Sequence, residues 1–150
     1  MSLEVKKILV AVDFSETSNK AFDYALSLAR VFESDVCALH VLEDPILYAP
    51  TTDESYREAY ERTVQGKLDE LTGRHGAEGV KVELVTRQGS PFHEVVEYAK
   101  AEHCDMIVMG TLGVGPIKHM LMGSVAEKAV RTASCPVLVV RPDEHEFVAP

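Results

Sequence analysis

The chain of 150 residues has no long apolar run. Its longest aliphatic stretches, Ile8 to Val12 and Val137 to Val140, hold five and four residues, against the ~20 needed to cross a bilayer. Met1 to Lys7 carries Glu4, Lys6 and Lys7 and lacks the apolar stretch and small-residue cleavage site of a signal peptide. No membrane segment and a cytoplasmic location are therefore expected. Basic residues are scarce: 15 Lys and Arg face 24 Asp and Glu, a net charge of −9. A field of that sign repels phosphate backbones and anionic lipid, so neither nucleic acid nor a membrane surface is an expected partner. Cysteine is scarce too. Cys37, Cys104 and Cys135 are odd in number and widely spaced, which suits free thiols in a reducing compartment better than a disulfide framework or a zinc site. The six histidines are scattered, and His103 beside Cys104 reads as a helix-end residue. No metal held by protein ligands is expected.

Two nucleotide signatures are also missing. No Gly-x-x-x-x-Gly-Lys-Ser/Thr occurs, so a P-loop lysine is absent. The first strand-to-helix turn, Asp13-Phe14-Ser15-Glu16-Thr17-Ser18, holds no glycine, which excludes a dinucleotide fingerprint. A phosphoacceptor receiver domain is disfavoured because Gln88 and Gly89 stand where its acceptor Asp would follow the third strand.

What the sequence does hold is an alternation of short apolar runs and helical patterns. Val5 to Val12 is apolar on both faces, as a strand covered by helices on both sides requires. Ala21, Ala25, Leu28 and Phe32 mark an amphipathic helix opened by the Ser15 to Ser18 cluster. Val36 to Leu42 is a second strand, followed by a loop with Pro45 and Pro50 that is long enough for a lid. Tyr56, Tyr60, Val64, Leu68 and Leu71 stripe a helix from Asp53 to about His75, ended by Gly73, Gly76 and Gly79, whose charged face reads as solvated. Val80 to Val85 alternates like an edge strand. Ser90 caps a helix with Pro91 at its first position, with Phe92, Val95, Val96 and Ala99 on its buried face. Asp105 to Met109 is a central strand, Ser124 to Ala133 a helix and Pro136 to Val140 the last strand. One domain over 1–150 is expected, with its core at about 5–141 and a flexible acidic tail at 143–150. The element order predicts an α/β fold: an open, doubly wound, five-stranded parallel sheet of order 3-2-1-4-5 with helices on both faces. Its switch point lies between the first and fourth strands, beside Asp13 and Gly110.

The chemistry concentrates after the fourth strand. Gly110-Thr111-Leu112-Gly113 is followed by nine residues and then Gly123-Ser124. Glycines after a strand let backbone amides approach a ligand, and a helix opening at Ser124 offers amides and a positive dipole end to an anion. Residues 110–131 hold Lys118, Lys128 and Arg131 against Glu127 alone, a local charge of +2. A purely structural reading stands beside this one. Ser124 with Glu127 is also a capping box, the glycines also suit a simple turn, and Asp13 also suits a helix cap. In a crevice Asp13 would instead accept hydrogen bonds from a ribose hydroxyl or an adenine amine, or hold a metal through water.

Gly110-x2-Gly113-x9-Gly123-Ser124, with Asp13 closing the first strand and Pro136 to Arg141 closing the core, resembles the ATP-binding branch of the universal stress protein family. The likeness runs from Lys7 to Arg141, with Leu112 and Gly115-Pro116 departing from the usual loop. It implies a Rossmann-like, adenine nucleotide alpha hydrolase-like domain that binds ATP, AMP or ADP. Asp13 and, through its backbone, Val41 would contact the adenosine end. Gly110 and Gly113 would line ribose and phosphates, Gly123, Ser124 and Val125 would hold the phosphates, and Mg or Mn would bridge them. A homodimer through Val137 to Arg141 is also implied, which would cover an apolar sheet edge. The expected function is nucleotide-dependent regulation of a stress response. A slow ATPase or a protein autophosphorylated on Ser124 is one alternative, although His119 in the loop is expected to face solvent rather than act as a base. A nucleotide-independent dimeric interaction module is the other.

Overall fold

In the computed structural model the described residues are 2–43, 53–75, 77–111 and 123–142. The Pro45 to Pro50 loop, Gly76, the segment 112–122 with Gly113, Lys118 and His119, and the tail from Asp143 lie outside them. The elements are β1 (Lys7–Ala11), α1 (Glu16–Phe32), β2 (Asp35–Leu42), α2 (Glu54–His75), β3 (Val82–Gln88), α3 (Pro91–Ala101), β4 (Met106–Gly110), α4 (Ser124–Thr132) and β5 (Val137–Val140). The five strands form one parallel sheet in the order β3-β2-β1-β4-β5, the order the alternation predicts.

Because β1 is central and side chains alternate across a strand, it feeds both cores. Ile8, Val10 and Val12 pack with Ala21, Phe22, Leu68 and Leu71 from α1 and α2. Leu9 packs with Val95, Ala99, Ala126 and Ala129 from α3 and α4. Ile8, Leu9 and Val10 are fully buried. At the amino end of the sheet, the Asp105 carboxylate accepts from the Lys6 and Lys7 amides at 2.9 and 3.0 Å. That tie joins the start of β1 to the start of β4, so Asp105 itself precedes the strand.

Helix α1 opens at Ser15, whose hydroxyl accepts from the Ser18 amide at 3.2 Å. It closes at Glu33, in the left-handed region at φ 57°, with its amide on the Ala29 carbonyl. Before α3, Gly89 sits at φ 131°, where a Cβ would lie 3.1 Å from Glu94 Oε1.

Four sequence expectations change. The third strand starts later and runs longer than Val80 to Val85, because Val80 closes a turn onto the Ala77 carbonyl (3.0 Å) while Thr86, Arg87 and Gln88 pair with His40, Val41 and Leu42. An edge strand tolerates those polar residues. Gly73 lies within α2 rather than at its end. Tyr56 is 53% exposed and leaves the apolar stripe, whereas Val64, Leu68 and Leu71 are buried. Ser90 occupies the cap position of α3 without a side-chain cap bond; its carbonyl accepts from Glu94 instead.

Candidate functional site

The last hydrogen bond between β1 and β2 runs from the Val12 amide to the Leu39 carbonyl at 2.9 Å. Past it, the chain turns sharply. Asp13 Oδ1 accepts from the Ser15 amide at 2.9 Å, the Asp13 amide donates to Ser18 Oγ at 3.2 Å, and Phe14 sits at φ 62°. Asp13 therefore shapes the turn that precedes α1, while the cap itself is Ser15.

The turn rests on an aromatic cluster. His40 is nearly buried at 9% exposure and places Nδ1 2.7 Å from the Val12 carbonyl. A carbonyl only accepts, so Nδ1 carries the proton. Nε2 then faces the Tyr60 hydroxyl of α2 at 3.5 Å. The Phe14 ring lies 5.3 Å from the His40 ring, and Lys67 Nζ stands 5.5 Å from the Phe14 ring centre.

Backbone parity orients Val41. Odd residues of β2 turn their amides and carbonyls toward β1, as the Asp35 amide on Lys6 and the Leu39 carbonyl under Val12 show. Val41 follows the same parity one step beyond the last bond to β1. Its main-chain groups point into the gap that β1 leaves when it turns at Asp13 and Phe14.

Across that gap stands β4. Gly110 is its last residue. Thr111 follows, 2% exposed, with its amide on the Val140 carbonyl at 2.9 Å. Its hydroxyl oxygen is buried without a hydrogen-bond partner among the described residues. The Gly123 amide donates back to the Thr111 carbonyl, which fixes the start of α4 at the carboxyl end of β4. Gly123 is the N-cap, at φ −71° and ψ 163°, with no side-chain cap bond. The first turn of α4 thus offers amides that no capping side chain takes. Ser124 is exposed at the first helical position and Val125 half-buried against the second core.

Two expectations are corrected here. Ser124 and Glu127 form no capping box, because Gly123 holds the cap and Glu127 accepts from Arg131 at 3.0 Å. Among the described residues, positive charge does not gather at the helix start either. Arg131 is spent on Glu127 in the last turn, and Lys128 Nζ sits 5.7 Å from the Phe92 ring centre. Among the described residues, attraction for an anion at this end rests on backbone amides and the helix dipole.

The structure thus brings Asp13, Val41, Gly110, Gly123, Ser124 and Val125 to the carboxyl end of the sheet, and Gly113 lies outside the described residues. Thr111 escaped the sequence reading. The signal was a hydroxyl between two glycines, directly after a buried strand.

The thiols stand apart from this end. Cys37 and Cys104 are buried and Cys135 half-buried, and burial pushes all three up, Cys104 to about 12. The Cys37 thiol hydrogen-bonds Tyr98. Among the described residues no cluster of three or more His, Cys, Asp or Glu is placed to hold a metal, and no helix is long and apolar enough to cross a membrane.

Fold and site together define a doubly wound α/β domain whose strand ends and one uncapped helix start surround the crevice at the switch point. A family model described as the universal stress protein family matches residues 4–141, and the chain belongs to that family. A universal stress protein of Methanocaldococcus jannaschii is 34% identical over 144 residues, covering 94% of this chain and 85% of that protein. The solved structure of another protein of that organism, used for a structure-based assignment of biochemical function, superposes with TM-score 0.81 at 28% identity, over 95% of this chain and all of that one. A universal stress protein of Archaeoglobus fulgidus, solved in complex with dAMP, superposes with TM-score 0.64 at 25% identity, over 92% of this chain and 99% of that one.

Proposed function

We propose that this chain binds an adenine nucleotide, ATP foremost, in the crevice at the switch point, and that occupancy regulates a stress response through a homodimer. The observation that carries the reading is the uncapped start of α4, held against β4 by the bond between Gly123 and Thr111. Amides at Ser124 and Val125 would hold phosphates with the Ser124 hydroxyl, beside Gly123, whose own amide is on Thr111 and whose lack of a side chain lets them approach. The buried Thr111 hydroxyl, without a partner among the described residues, would gain one. Gly110, with no side chain, admits the ribose and phosphates. Asp13 would accept from a ribose hydroxyl, while the main-chain donor and acceptor of Val41 match the edge of an adenine ring. The dAMP complex of the relative from Archaeoglobus fulgidus supports an adenine ligand. Mg or Mn, when bound, would neutralise phosphate charge; the residues at this end fit a metal carried by the nucleotide rather than by a protein cluster.

Strand β5 is a sheet edge. Its even residues face β4, as the Pro136 and Val140 carbonyls show, so Val137, Val139 and Arg141 turn main-chain groups outward and would pair with a second copy. Calorimetric titration with ATP, ADP and AMP tests the nucleotide reading. Micromolar binding is expected, and no heat at millimolar nucleotide sinks it. Mass spectrometry after incubation with Mg-ATP tests the enzymatic alternative: unmodified Ser124 and no ADP above blank exclude it.

A further inference from the structure

Strand β3 is the opposite edge of the sheet. The Lys81 carbonyl accepts from Val36 and the Gly89 amide donates to Leu42, so odd residues of β3 face β2. Val82, Leu84, Thr86 and Gln88 therefore turn their amides and carbonyls away from the sheet. Side chains follow the same alternation: Val82 and Leu84 pack toward the core under α1 and α2, Val85 toward the core under α3. On the α3 side the strand is flanked by an open groove of about 580 Å3, lined by Cys37, Glu83, Val85, Arg87 and Tyr98, which leaves that side of the edge clear among the described residues.

We propose that β3 is a second self-recognition edge, at which two copies of this chain pair antiparallel about a twofold axis through Val85. In that register Leu84 lies opposite Thr86 and Val82 opposite Gln88. These are the residues whose main-chain groups point outward, and they form the hydrogen-bonded pairs. Glu83 lies opposite Arg87 twice, at the closely spaced positions where cross-strand side chains interact best. Any other antiparallel register about this strand loses either that pair of ion pairs or the match of free amides to free carbonyls.

In the single chain Arg87 guards the edge. Its guanidinium donates to the outward Thr86 carbonyl at 3.0 Å and lies 5.3 Å from the Tyr98 ring centre. On pairing, the Thr86 carbonyl accepts from Leu84 of the second copy and Arg87 turns to Glu83 of that copy. The exchange leaves no buried main-chain group without a partner.

The test uses the full chain carrying Val139→Pro, which blocks addition at β5 by removing an outward amide and leaves the bonds to β4 intact. Sedimentation velocity at low salt is expected to show a concentration-dependent dimer. Glu83→Arg or Arg87→Glu alone places like charges opposite each other and should raise the dissociation constant about tenfold or more. The double exchange, Glu83→Arg with Arg87→Glu, should restore it to within about threefold. Thr86→Pro, which removes an outward amide, should abolish the dimer, and hydrogen exchange should slow at Leu84 and Thr86 as concentration rises. A Val139→Pro chain that stays monomeric overturns the proposal. So does a dimer that ignores the single reversals, or one that the double exchange fails to restore while circular dichroism shows each variant folded.

Discussion

The Gly123 amide donates to the Thr111 carbonyl, so the chain leaves β4 and enters α4 at one point. Everything proposed for the crevice depends on this tie, since it sets the helix start opposite Asp13 and Val41.

Ser124 separates a capping role from a ligand role. Because Gly123 holds the cap, Ser124→Ala should change unfolding stability in urea by less than about 0.5 kcal/mol. Loss of a true cap costs about 1 kcal/mol. Titration should meanwhile show ATP binding weakened several-fold. A stability loss near 1 kcal/mol with unchanged affinity would return Ser124 to a structural part.

Thr111→Val keeps the shape and removes a hydroxyl that is buried without a partner among the described residues. Such a group carries an unrelieved desolvation cost of about 1–3 kcal/mol. The free protein is expected to melt at the same temperature or higher, and the rise in melting temperature on adding ATP to shrink. A variant that melts lower and keeps the full ATP-induced rise contradicts this assignment.

His40→Phe fills the same space but takes the donor from the Val12 carbonyl, 2.7 Å away. The orphaned carbonyl should cost about 1–3 kcal/mol in urea unfolding. Loss of the contact with Tyr60 should also loosen α2, seen as faster hydrogen exchange around Tyr60. Unchanged stability would show that the carbonyl finds another donor.

The buried thiols make stability depend on pH in the alkaline range. Burial holds Cys104 protonated up to about 12 in the fold, while the unfolded chain releases that proton near the ordinary thiol value of ~8.5. The unfolded state therefore binds fewer protons between these values, and stability falls as pH rises through that window. Urea midpoints from pH 8 upward should decline, with a shallower decline in Cys104→Ala. Below pH 8 this group should contribute no slope.

Strand order and both cores were legible in the sequence because a central strand needs apolar residues at every position, and Ile8, Leu9 and Val10 supply them. The location of Asp13, Gly110 and Gly123 followed from where strands end. The strand limits of β3 were not legible, since Thr86, Arg87 and Gln88 are polar and only their pairing with β2 makes them strand. The capping box that Ser124 and Glu127 offered as an alternative reading falls one residue off the cap, because Gly123 and Ser124 both suit the position and backbone angles decide between them. Charge along the sequence also misled. Lys128 and Arg131 lie in the helix that starts at Ser124, yet their contacts with Phe92 and Glu127 hold them away from its start.

Phe14 carries a consequence for how the crevice comes into being. At φ 62° it occupies a conformation that costs an ordinary L-residue roughly 1–2 kcal/mol, set against the local bonds of Asp13 to Ser15 and Ser18. The rings and charge of His40, Tyr60 and Lys67, brought in from β2 and α2, add to what holds it. The floor of the crevice therefore exists only where β2 and α2 are packed against this turn, and the ability to bind a ligand depends on the docking of α2 as much as on the strand ends.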